Sequence, residues 1–176
     1  AGSVRVASAG DAIVDSLGSG DINIGNARTL KVTLSGSGNF NVGNAGDTEV
    51  QSQGSGDVGL GHVQSLKANL NGSGDLAVAS VTSGFTMTNN GSSDVNISRI
   101  IGPVMLDMSG SGDVRMQGGR AQSFIIRGSG SGDVLFNGVA DSVNIESNGS
   151  GDVNITRATG AVVTKISGSG EMHIGR

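Results

Sequence analysis

The 176 residues carry eleven Lys and Arg against fifteen Asp and Glu, a net charge of −4, with four phenylalanines as the only aromatics and no cysteine. Without a basic tract or stacking platforms the chain lacks what a nucleic-acid partner needs, without thiols it has neither a disulfide framework nor a thiolate metal site, and no run of eighteen apolar residues is present to span a membrane as a helix. Thirty-two glycines with a single proline, Pro103, occur without a three-residue collagen period, and the segments between them are rich in Val, Ile, Leu and Met, so this is a folding sequence.

From the amino end, the first predicted strand carries Val4 and Val6, apolar residues two apart, the period of a strand with one face inward. Gly18-Ser19-Gly20-Asp21 then predicts a turn. Ile22 and Ile24 follow in the register of Val4 and Val6, and from here the chain repeats itself. The acidic position of the tetrapeptide recurs at Asp21, Asn39, Asp57, Asp75, Asp94, Asp113, Asp133, Asp152 and Glu171, at spacings of 18 to 20 residues. All nine serines of the motif are kept, and its second glycine is lost only at Ser93. Such glycines serve either positive φ or a close approach of backbone to backbone.

Each turn is followed by an apolar pair, ending with Val95 and Ile97, Val114 and Met116, Val134 and Phe136, Val153 and Ile155, and Met172 and Ile174. A second strand precedes the turn in most repeats, as at Leu30 and Val32, Phe85 and Met87, or Val143 and Ile145. A weaker third inward column is expected in the connector at Ala27, Ala45, Val63, Val81, Ile100, Val139 and Ala158. A fixed period of this size means one unit stacked on copies of itself. The predicted fold is therefore all-β: one domain over residues 1–176, a parallel β-helix or β-solenoid of about nine coils with 18–20 residues each. At about 4.8 Å per coil this is a rod of about 43 Å. All variation in coil length falls in the connector, which marks that corner as the variable edge.

Copies such as Gly18-Ser19-Gly20-Asp21-Ile22-Asn23-Ile24 and Gly149-Ser150-Gly151-Asp152-Val153-Asn154-Ile155 resemble those of the autotransporter adhesin head (GIN) domain family of secreted or surface-located bacterial proteins, and the likeness covers essentially the whole chain. The resemblance implies a parallel β-helix. It brings no catalytic residues.

Neighbouring carboxylates in the acidic column should repel by about 1 kcal/mol per pair even in water. Two readings offset this. Either each carboxylate accepts hydrogen bonds from the glycine turn and the stacked serines, or calcium binds along Asp57, Asp75, Asp94, Asp113, Asp133 and Asp152. Asn39 favours the first, because an amide makes the same bonds, and the expectation is structural use without a metal or cofactor. His62 and His173 stand six coils apart and cannot share a metal. Arg99, Arg157 and Arg176 are expected in one connector column, with Arg28 and Arg120 two positions on, as a basic edge for anionic polymers or neighbouring rods. No acid pair stands apart from the repeat, so no enzyme is expected.

An uncapped solenoid pairs with whatever strand it meets. Val4 and Val6 at one end and Met172 and Ile174 at the other lead to the expectation of an extracellular structural subunit that stacks head to tail into a filament. The alternative is an adhesin or carbohydrate-binding module from a larger cell-surface protein. Ala1 in place of Met points to an exported, mature form.

Overall fold

The computed structural model describes residues 2–176 and forms a single parallel sheet wound into a solenoid, with no helix among the described residues. The first five coils each run as one long bent strand: β1 (Val4–Ser16), β2 (Ile22–Leu34), β3 (Phe40–Ser52), β4 (Val58–Leu70) and β5 (Leu76–Asn89). Later coils break at the connector into β6 (Val95–Ile101), β7 (Val104–Met108), β8 (Val114–Met116), β9 (Gly119–Ala121), β10 (Phe124–Gly128), β11 (Val134–Ala140), β12 (Val143–Ser147), β13 (Val153–Ala158), β14 (Val162–Ile166) and β15 (Met172–Ile174). Two flat faces result. The face after the turn stacks ten strands, β1-β2-β3-β4-β5-β6-β8-β11-β13-β15. The face before the turn uses the second halves of β1 to β5, then β7, β10, β12 and β14, and so has one strand fewer.

The predicted ladder forms in register. Val95, Val114, Val134 and Val153 pair in succession and are buried, while Asn96, Arg115 and Asn154 between the apolar pairs are exposed. Phe124 and Phe136 stack at 5.0 Å between ring centroids in the middle of the core. Period-two patterning thus fixes which side of each strand faces inward, and hydrophobic burial holds it there.

Two details of the core differ from the expectation. In the connector column the inward residue is Ala140, with Val139 only half-buried, and Ala121 joins the column; Ala140 registers with Ala121 on one side and Ala158 on the other. The cause is a register shift between Phe136 and Val139, where one residue more has been fitted into the corner. The strand before the turn also has a further inward position that alternation of apolar residues does not reveal. Leu34, Ser52, Leu70, Asn89, Met108, Gly128, Ser147 and Ile166 stack there in register.

Ser52 in this column is buried between Leu34 and Leu70, and its hydroxyl has no hydrogen-bond partner. An orphaned buried hydroxyl costs on the order of 1–3 kcal/mol. Ser52→Ala should therefore raise the unfolding midpoint in urea rather than lower it. A loss of stability in that variant would show that the hydroxyl is satisfied after all.

The two corners solve the glycine problem differently. None of the motif glycines has positive φ; only Gly84, Gly102 and Gly119 do, all in the connector, where coil length varies. At the turn the reason for glycine is close approach. A Cβ on Gly36, Gly54, Gly72, Gly110, Gly130 or Gly149 would run into a carbonyl oxygen of the coil below. Stacked turns thus press backbone onto backbone, which only glycine permits.

Candidate functional site

The acidic column is a hydrogen-bonded ladder. The Oδ1 of Asp21 accepts the backbone N–H of Asn39, the Oδ1 of Asn39 accepts that of Asp57, and the pattern continues through Asp75, Asp94, Asp113, Asp133 and Asp152 to Glu171, every bond between 2.7 and 3.0 Å. The carbonyl of the same residue accepts an N–H from the coil before, as Asp113 does from Val95 and Asp133 from Val114. The side chain therefore replaces a main-chain acceptor that the glycine corner has turned away. Hydrogen bonds to a carboxylate are among the stronger ones, and the seven of the eight that are of this kind, all but the one to Asn39, offset the repulsion of a column spaced at about 4.8 Å.

The stacked serines play no part in this, contrary to expectation. Ser19, Ser37, Ser55, Ser73, Ser92, Ser111, Ser131, Ser150 and Ser169 are all exposed, and among the described residues their hydroxyls make no side-chain hydrogen bond. As for calcium, one oxygen of each of Asp57, Asp75, Asp94, Asp113, Asp133 and Asp152 is committed to a backbone N–H. Among the described residues no three His, Asp or Glu side chains converge as a metal site requires. Arg115 reaches into the column as well, 2.6 Å from Asp113 and 4.0 Å from Asp94.

This geometry makes a specific demand on substitutions. Asp113→Asn keeps the acceptor and removes one charge from the column, so stability should change by less than about 0.5 kcal/mol. Asp113→Ala deletes the acceptor for Asp133 N–H and should cost about 1 kcal/mol, the net value of one hydrogen bond partly accessible to water. Amide exchange at Asp133 should accelerate in the alanine variant alone. Equal losses in both variants would mean that charge, not hydrogen bonding, is what the column contributes.

Beside the ladder lies a polar trough of about 700 Å³ along the turn corner, from Asn90 to Ser169. Its walls are the motif serines and a second column that includes Asn90, Ser109, Ser129 and Asn148. The lining is hydroxyl, amide and glycine backbone, with no ionisable side chain. Inside the same corner, buried Asn89 has a role that alternation of apolar residues gives no sign of: its Nδ2 donates to the Ser93 carbonyl at 2.8 Å and its Oδ1 accepts the Gly91 N–H at 3.1 Å. Ser93, the one departure from glycine, is fully buried against it and donates to the Gly72 carbonyl.

The expected basic edge is divided. Arg99 registers with Ser80, whereas Arg157 registers with Val139 and through it with Arg120 and Ile101, so Arg99 and Arg157 lie in different columns. Arg28 pairs with Asp11 at 2.8 Å and Arg120 with Asp141 at 2.7 Å. The Thr29 hydroxyl, with the Arg28 guanidinium, holds the Asp11 carboxyl below the usual carboxylate range. His62 and His173 are both exposed, and His62 Nδ1 lies 2.7 Å from the Ser80 hydroxyl. On the face before the turn, a furrow of about 780 Å³ runs between two outward columns, with Asp11, Thr29, Asp47 and Ser65 on one side and Lys31, Glu49 and Lys67 on the other. Val4 and Val6 on one side and Met172 and Ile174 on the other occupy opposite ends of two adjacent columns on the ten-strand face, Val4 exposed and the other three partly buried.

No curated protein matches the chain, and no solved structure does. The profile of one family matches twice in succession, over residues 1–81 and 80–175, and its description is "Putative auto-transporter adhesin, head GIN domain". Together the two matches account for nearly every residue of the solenoid, with the acidic ladder running unbroken from one into the other. The chain therefore belongs to the auto-transporter adhesin head GIN domain family.

Proposed function

We propose that the chain is a non-enzymatic adhesion module of a secreted or cell-surface protein, a stiff rod that holds a periodic, uncharged hydrogen-bonding ridge against a polymeric ligand. The observation that carries this reading is the state of the motif serines: nine exposed hydroxyls, kept in every repeat and unused by the fold. The structural work at that corner falls to the glycines and the acidic ladder, which leaves the hydroxyls free to bond outward. An array of donors and acceptors spaced at about 4.8 Å suits a neutral, hydroxyl-rich chain such as a glycan, because many weak bonds along one polymer add by multivalency. Family membership supports an adhesin-type role at a cell surface or in secretion.

Beads coated with the rod test this. They should adhere to surfaces that display neutral polysaccharide, and a variant with Ser92, Ser111, Ser131 and Ser150 replaced by Ala should lose at least about tenfold in retention while keeping its far-ultraviolet spectrum. Equal retention by that variant would remove the ridge from the reading.

Head-to-tail assembly into a filament is a second reading, favoured by Val4 at 52% exposure where the same position is buried from Phe40 to Val153. The strand counts set a condition on it. With ten strands on one face and nine on the other, placing Val4 on Met172 leaves one strand position open on the shorter face. A stack of this register needs a further strand there. Electron microscopy distinguishes the two readings: long fibres support the filament, and isolated short rods leave adhesion as the function.

A further inference from the structure

The furrow face carries a charge pattern that is complementary to itself. The first six coils of its central outward column read Ile13, Lys31, Glu49, Lys67, Thr86, Met105 in register, and Ile125, Asn144 and Val163 continue it beyond the paired strip. Turned end over end about a two-fold axis between Glu49 and Lys67, the same column meets itself with Glu49 on Lys67, Lys67 on Glu49, Lys31 on Thr86 and Ile13 on Met105. Each charge then faces an opposite charge or a hydroxyl, and each apolar side chain faces an apolar one. We propose that two copies of the chain pair side by side and antiparallel through this face.

Three observations favour a second copy over another occupant. Ile13, 77% exposed in the single chain, meets the apolar Met105 of the second copy, so pairing removes both from water. The alternation of charge has the pitch of the solenoid itself, about 4.8 Å; an extended peptide places side chains of one face nearly 7 Å apart and would fall out of step. The register is also unique within a slip of one coil. Moving the axis one half-coil one way sets Glu49 on Glu49, and the other way sets Lys67 on Lys67, and like charges directly opposed are destabilising.

In one flanking column Asp47 meets Ser65, and the other follows the same axis apart from a single like-charged contact. Gln51 meets Asn69, and Thr33 meets Thr88, all polar groups able to bond to each other. Asp15 meets Asp107, the one like-charged contact, and Asp107 carries Arg127 at 3.9 Å as a neighbour for both. The paired strip measures about 29 Å by about 17 Å, smaller than the roughly 800 Å² per partner of a standard interface. The dimer is therefore weak and sensitive to salt, since its specificity lies in exposed charge pairs.

Sedimentation velocity on two single variants and their mixture tests the pairing. The unmodified protein should dimerise at low ionic strength and dissociate in high salt. Glu49→Lys sets Lys on Lys twice across the axis and Lys67→Glu sets Glu on Glu twice, so each variant alone should dimerise at least about tenfold more weakly. Mixed in equal amounts, the two should form a heterodimer. The lysine introduced in the first copy then faces the glutamate introduced in the second, and the native Lys67 of the first faces the native Glu49 of the second. Recovery in the mixture also shows that both variants are folded. A wild-type protein that stays monomeric at low salt, single variants that dimerise as the wild type does, or a mixture that fails to pair would each overturn the proposal. Retention on polysaccharide that depends on Lys31 or Glu49 in a monomeric wild type would assign the furrow to a glycan instead.

Discussion

Gly110→Ala should be among the most damaging single substitutions in this protein, although it adds only a methyl group to an exposed corner. The new Cβ would sit far inside contact distance of the Gly91 carbonyl oxygen, which belongs to the backbone of the coil below and has no rotamer to change. Relief requires the two coils to part, and parting them lengthens the bonds from Ser111 N–H to the Gly91 carbonyl and from Asp113 N–H to Asp94. Overpacking of this kind costs about 1–3 kcal/mol and more where nothing yields. Gly128→Ala is the matched control. Gly128 occupies an inward position between Met108 and Ser147, and the nearest atoms to its Cβ would be the Ser147 hydroxyl at 3.8 Å and the Met108 carbonyl oxygen at 4.0 Å. Its φ is not positive, so alanine fits and should stabilise by about 0.4–1 kcal/mol through the unfolded chain. Thermal melts of the two variants should move in opposite directions. If both fall, close approach is not the reason for glycine at the turn.

The second large effect belongs to Asn89. Leu70 and Met108 flank it in the column, so Asn89→Leu looks like an improvement of the core. It should instead destabilise by about 1–3 kcal/mol, because the buried Ser93 carbonyl loses its donor and the Gly91 N–H keeps only a longer bond to the Leu70 carbonyl at 3.3 Å. Hydrogen exchange is the better readout than a global midpoint, since a stacked repeat can open locally. Exchange at Gly91 should rise sharply while amides of the first coils keep their protection. Unchanged exchange at Gly91 would show that the amide is not what closes this turn.

The difference between these two sites explains what the sequence discloses. Val95, Val114, Val134 and Val153 are legible because burial on one side of a strand forces period two, and the nine turns set the phase for every coil. Asn89, Ser52 and Gly128 are illegible for the same reason: they share an inward column with Leu34 and Met108, but polarity and small size break the pattern that would place them there. Val139 and Ala140 exchange roles because an added residue in the connector shifts register by one, which no local apolar count detects. The motif itself is plain as a turn, yet close approach and positive φ both call for glycine, and only the stacking of carbonyls beneath Gly110 and its copies separates them. The Lys31, Glu49 and Lys67 column escapes notice altogether, since outward residues are free of the core's constraint and their alignment depends on summed coil lengths.

The acidic ladder has a direction. In each of its eight bonds the acceptor lies in the earlier coil and the donor in the later one. A coil that has formed therefore displays, at its corner, the side-chain acceptor that the next segment of chain needs in order to turn, whereas a coil further along offers the segment before it a main-chain carbonyl, as Asp113 does to Val95. Growth from the amino end is templated at this corner by a side chain, and growth from the carboxyl end by the main chain alone. For a chain that leaves a ribosome or a membrane pore amino end first, order of emergence and order of templating coincide, and the rod can lengthen one coil at a time behind the advancing front.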